Sequence, residues 1–170
     1  MSSVEVTRLL PKKLNYVTLP SMAIKRNDIS DPAFELEIFH HLQDFGFSPE
    51  RRGDIIQLSG VGAGLGDDSV DLTLNLVEMD GHRILEISSQ VKTPAVSFDK
   101  AVIISAQGNL SCLTAKFTPV EQLEKDTHLV RAGVVLYADH LSAQELKAML
   151  YLFIKEVDAI DNVLVDIALK

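Results

Sequence analysis

DHLSAQELKAMLYLFIKEV, residues 139–157, carries the signals that decide the fold. Ser142 precedes Glu145 by three positions, a capping-box spacing, and Leu141 and Leu146 stand where a hydrophobic staple closes around that cap. Leu146, Met149, Leu150, Phe153 and Val157 then recur at intervals of three, one, three and four, a stripe of helical period. The run before it, HLVRAGVVLYAD (128–139), reads as a strand that needs a partner layer, and this helix is the nearest candidate. Ile160, Leu164 and Ile167 continue the stripe beyond the polar DAIDN at 158–162, which leaves one long helix or two.

Working outward, SVDLTLNLVEM (69–79) and HRILEISSQV (82–91) flank Asp80-Gly81, a two-residue hairpin turn that demands positive φ. Closing that turn sets Leu76 opposite Leu85, Leu74 opposite Ile87, Leu72 opposite Ser89 and Val70 opposite Val91. Glu78 meets Arg83 at the turn end. The other face carries Asn75/Glu86, Thr73/Ser88 and Asp71/Gln90, so one face packs on a core and one meets water.

An earlier helix begins at SDPAFELEIFHHLQDFGF, with Asp31 as N-cap, Pro32 at the first helical position and Gly46 as the stop. Phe34, Ile38, Leu42 and Phe45 share one face. A polar link containing SPERRGD leads to a short strand, DIIQL (54–58), and then to the glycine-rich SGVGAGLGDD. That loop lacks the third glycine of a dinucleotide fingerprint and the Gly-Lys-Ser/Thr of a P-loop, and Asp67 and Asp68 would repel phosphate. It reads as a connection. Residues 97–108 favour a short helix capped by Ser97 or Asp99 and ended by Gly108. The β-branched Val102, Ile103 and Ile104, with a Gly108-Asn109 hairpin, form the alternative. Residues 110–117 read as a strand with Leu113, Ala115 and Phe117 on one face, followed by the polar excursion TPVEQLEKDT.

A chain of 170 residues, 46% hydrophobic, suits a single domain able to bury a sizeable core without metals or disulfides. Residues 1–29 hold five cations against two carboxylates, so this N-terminal arm carries +3 and the remaining 141 residues −11 of the total −8. The arm is set apart from a body spanning 30–170; it either folds onto the acidic body or extends loosely from it. The net charge argues against general nucleic-acid binding, which needs clustered Lys and Arg. No run approaches the roughly 18 apolar residues of a membrane span, and no signal peptide is evident, so the expected location is cytoplasmic.

Catalytic signatures are missing: there is no Gly-x-Ser-x-Gly, no His-Glu-x-x-His and no paired cysteines, so neither an enzyme, a metal site nor a cofactor is expected. Adjacent His40 and His41 point about 100° apart on a helix, which does not suit one metal. Cys112 reads as a buried, inert thiol in a strand, and His128 and His140 as solvated strand ends.

The succession helix, three antiparallel strands, short helix, two strands, long C-terminal helix, together with VVLYADHLSAQEL at 134–146, resembles the YbjN family. More broadly it is similar to the fold of type III secretion chaperones, an α+β arrangement with helices backing a twisted antiparallel sheet. The match rests on the helix at 32–45, the hairpin at 70–91 and the last strand–helix unit. This resemblance implies a non-enzymatic protein that dimerises and binds an extended segment of a partner protein along exposed apolar surface. It also implies regulation or stress signalling as the setting. Residues 101–106 and 110–117 are the positional counterparts of the chaperone dimer interface, which makes Val102, Ile103, Ile104 and Leu113 the candidate dimer or partner surface. The alternative is that the three consecutive residues all belong to the core. A second functional reading is a regulatory domain in which the loop at 59–66 closes over a small ligand.

Overall fold

The computed structural model describes residues 32–62, 69–122 and 127–169. Across them the chain runs α1 (Pro32–Asp44), β1 (Glu50–Arg52), β2 (Ile55–Val61), β3 (Val70–Met79), β4 (His82–Gln90), α2 (Phe98–Ser111), β5 (Lys116–Glu121), β6 (His128–Tyr137) and α3 (Ala143–Leu169). This is the α+β class, with one six-stranded antiparallel sheet in the order β1-β2-β3-β4-β6-β5. The N-terminal arm, the Asp31 cap and residues 63–66 of the glycine-rich loop lie outside the described residues.

Asp80 and Gly81 adopt φ of 53° and 81°, the conformation their turn requires. The register that follows pairs Leu74 with Ile87, Leu76 with Leu85 and Glu78 with Arg83, as the alternation of residue types dictates. The same rows continue through Ile87↔Val134 and Leu85↔Leu136 on β6, and through Ile56↔Leu74 and Leu58↔Leu72 on β2. One face of the sheet thus becomes a continuous apolar surface, and the buried residues of all three helices join it in a single core. Val77 and Ile84, paired across the hairpin on the other face, are buried outside that core.

The last helix is one element of 27 residues. Its cap is the expected box: Glu145 N–H donates to Ser142 Oγ (3.3 Å), while the Ser142 hydroxyl (2.6 Å) and then its backbone N–H (2.9 Å) donate to Glu145 Oε2 and hold that carboxyl below its ordinary range. Leu146, Leu150, Phe153, Ile154, Val157, Ile160 and Leu164 are buried, so Ile154 belongs to the stripe and Met149 only borders it. The polar DAIDN does not break the helix, because Ile160 and Leu164 keep the buried face in phase through it.

Three local expectations are corrected. The polar link yields a short edge strand, β1, turned by Gly53 at φ +62°. Arg51 on β1 makes a two-pronged pair with the buried Glu35 of α1, Nε–Oε1 and Nη2–Oε2 both 2.9 Å. Next, Gly108 does not end α2, which runs on to Ser111. A Cβ at Gly108 would lie 2.6 Å from the ring of Phe117, so glycine there lets the helix pack on β5. Finally, the strand expected at 110–117 is the last turn of α2 plus a tight loop. The strand is Lys116–Glu121, which leaves Leu113 exposed while Ala115 and Phe117 stay buried.

The corner before α3 is locked by Asp139. Arg83 donates its backbone N–H (3.1 Å) and Nε–H (3.3 Å) to Asp139 Oδ1, and His82 Nδ1 lies 2.9 Å from Oδ2. The Arg83 guanidinium also stacks 4.5 Å above the ring of Phe34, so one carboxylate links hairpin, corner and α1. The backbone N–H of Arg83, then the His82 side chain, hold the Asp139 carboxyl at about 2 instead of 3.8. A depressed carboxylate stabilises the fold fully above its unfolded value, and that contribution disappears as pH falls through the folded value. Asp139→Asn should therefore lower the thermal midpoint at neutral pH and flatten its decline between pH 3.8 and about 2. Scanning calorimetry across that window checks this; an acid limb identical to that of the parent protein would refute it.

Candidate interaction surface on the middle helix

Helix α2 carries apolar residues on two faces. Ala101, Ile104, Ser105 and Gly108, spaced three, one and three, form the inward face and are buried. The outward face shows Phe98 (55% exposed), Val102 (42%), Ile103 (59%) and Leu110 (84%), and Leu113 (89%) extends it just past the helix end. Of the four residues singled out from sequence, Val102, Ile103 and Leu113 therefore stand on this exposed patch. Ile104 is fully buried and belongs to the core, one residue being enough to rotate it about 100° inward.

The loop after α2 is held by a carboxylate from α3. Glu156 Oε1 accepts the N–H groups of Leu113 (2.9 Å) and Thr114 (3.2 Å), and Oε2 those of Thr114 (3.0 Å) and Ala115 (2.8 Å). Three consecutive backbone donors converge on one side chain, and the turn they form presents Leu113 outward. Cys112 sits beneath, at the C-cap instead of in a strand, with its Sγ 3.9 Å from the Glu156 carbonyl oxygen. Burial, then the Glu156 charge, raise its thiol pKa, which keeps the sulfur in its less nucleophilic protonated form.

The adjoining sheet edge is closed. Phe117 N–H donates to Asn109 Oδ1 (2.8 Å), and Asn109 Nδ2 donates to the Phe117 carbonyl (3.0 Å), so one carboxamide imitates a neighbouring strand. The next outward-facing position along the same edge, by antiparallel alternation, is Pro119, which has no N–H to offer. At the opposite edge β1 is three residues long and its Glu50, Arg51 and Arg52 are all exposed. Both are familiar protections against edge-to-edge pairing. Neither Asn109 nor Glu156 was recognisable as a site residue from sequence, because each acts on backbone groups 8 and about 42 positions away.

His40 is exposed, His41 lies 3.6 Å from Glu37, and His128 meets Phe98 at a tilt of 58° with ring centroids 5.1 Å apart. Among the described residues no three His, Cys, Asp or Glu side chains group as metal ligands. Within the glycine-rich loop, Gly60 sits at a bulge of β2 with φ +67° and donates its N–H to Asp71 Oδ1 at 2.8 Å. Among the described residues no helix is long and apolar enough to cross a membrane.

No protein-family model matches the chain, and no curated protein matches it. Among solved structures, the chain is similar to that of YbjN from E. coli, described as a candidate transcription regulator. The TM-score is 0.52 at 14% sequence identity, over 78% of this chain and 89% of that one. At that identity the likeness speaks to architecture alone: the chain has a YbjN-like fold.

Proposed function

We propose that this chain is a non-enzymatic interaction protein that self-associates through the outer face of α2 and binds a segment of a partner protein. The carrying observation is the second apolar face of α2, from Phe98 to Leu113, on a helix whose first apolar face already fills the core. The exposed side chains amount to on the order of 500 Å² per copy, so two copies facing one another would bury on the order of 1,000 Å². That is the lower bound for a specific interface. The blocked edges at β5 and β1 argue against strand addition as the means of association and favour side-chain packing. An apolar cavity of about 370 Å³ at α1, lined by Leu36 and Phe39 beside the Arg51–Glu35 pair, supports the partner-binding half of the reading. It has the size to take a side chain of an extended segment.

The test is oligomeric state. Sedimentation of the parent protein should give a concentration-dependent dimer, and Ile103→Asp with Leu113→Asp should give a folded monomer whose thermal midpoint matches that of the parent at dilutions where the parent is monomeric, since both residues are exposed in the single chain. A parent chain that stays monomeric at about 100 μM, equivalent to a free energy weaker than roughly −5.5 kcal/mol, would sink the proposal.

A further inference from the structure

The sheet face turned away from the helices holds a cavity of about 440 Å³, within the usual range for small-molecule sites. Strand register builds its walls. Thr73, Ser88, Gly133 and Lys116 form one row across four strands. Asn75, Glu86 and Val135 form the row on one side, and Arg131 pairs with Thr118 on the other.

Gly133 is the floor, and the fold itself does not need it to be glycine. Its φ lies outside the left-handed region, unlike that of Gly81, and no ring presses on it as Phe117 does on Gly108. A Cβ at Gly133 would touch only the Ile87 carbonyl oxygen, at an ordinary 3.6 Å. Glycine inside a strand weakens it and often marks the close approach of a ligand or another backbone.

The polar groups around this floor are sorted by charge. Lys116 and Arg131 are diagonal neighbours across the β5–β6 pair, and neither is ion-paired among the described residues. On the opposite side Asn75 Nδ2 donates to Glu86 Oε2 at 3.3 Å, which orients that carboxylate as an acceptor. Strand spacing puts the Glu86 and Lys116 Cα atoms about 12 Å apart, so their inward-reaching ends bracket a molecule whose charges are several bonds apart. The Ser88 side chain lies in the middle row, and Thr118 stands beside Arg131 at the cationic end.

We propose that this cavity binds a small zwitterion of the dipeptide class, its carboxylate toward Lys116 and Arg131 and its ammonium toward Glu86. The site is on the opposite side of the sheet from α2, so it is independent of self-association. An NMR titration of the full chain with alanyl-alanine, its N-acetyl form and its C-terminal amide tests it. Saturable shifts should appear at the Gly133, Ser88 and Thr118 amides, and each blocked form should bind about tenfold more weakly. Gly133→Val, a residue suited to a strand, should fill the floor and abolish the shifts. Lys116→Gln with Arg131→Gln gives the same reading should the valine variant fail to fold. In Glu86→Gln the penalty for N-acetylation alone should disappear. Any of three results would overturn the proposal: no saturation by about 10 mM, equal binding of all three ligands, or shifts that survive both the floor and the cation variants.

Discussion

Replacing Phe153 with alanine should lower the unfolding free energy by about 3–5 kcal/mol. The side chain is fully buried in the middle of α3, flanked along the stripe by the equally buried Leu150, Ile154 and Val157. Removing an aromatic ring there forfeits its transfer free energy and leaves a hole that a 27-residue helix packed on the core cannot easily close. Urea titration is the measurement, and the slope should stay unchanged because the loss is of packing and not of two-state behaviour. A loss below about 1 kcal/mol would mean that the α3 stripe does not carry the core.

Glu156→Ala should cost about 2–4 kcal/mol, an unusual amount for a partly exposed glutamate. Its two oxygens accept from three successive amides at 2.8–3.2 Å, and deletion would leave the N–H groups of Thr114 and Ala115 without an acceptor in a part-buried loop. Glu156→Gln keeps one accepting oxygen and should lose less. Hydrogen exchange separates this from a general loss of stability: amides 113–115 should exchange faster in Glu156→Ala while the hairpin amides at 84–88 follow only the global change. Because the same turn presents Leu113, the proposed self-association should weaken together with the protection of those amides. Unchanged exchange at 113–115 would show that the carboxylate is not what orders the loop.

Much of the architecture was legible in order of locality. The hairpin of β3 and β4 was readable down to individual pairs because Asp80-Gly81 admits one turn geometry and a slip of one residue would reverse every side chain. Helix α3 was readable because its cap and its stripe are encoded within a few residues of each other. β1 was not, since three charged residues hardly resemble a strand until β2 and Glu35 are beside them. The candidate surface was half legible: Val102, Ile103 and Ile104 are alike in chemistry, and only the packing of α2 against β5 and α3 decides that Ile104 turns inward.

By itself, then, the sequence determined the α+β order of elements apart from β1, the hairpin register and the buried stripe of α3, all of them consequences of short-range periodicity and turn chemistry. The tertiary structure alone decided why Gly108 is glycine, how Asn109 closes an edge, how Glu156 shapes a loop, and that Gly133 opens a cavity among distant polar groups. Each of these depends on atoms brought together from separate strands and helices. Such contacts have no period along the chain, so they exist only once the sheet and its helices have assembled.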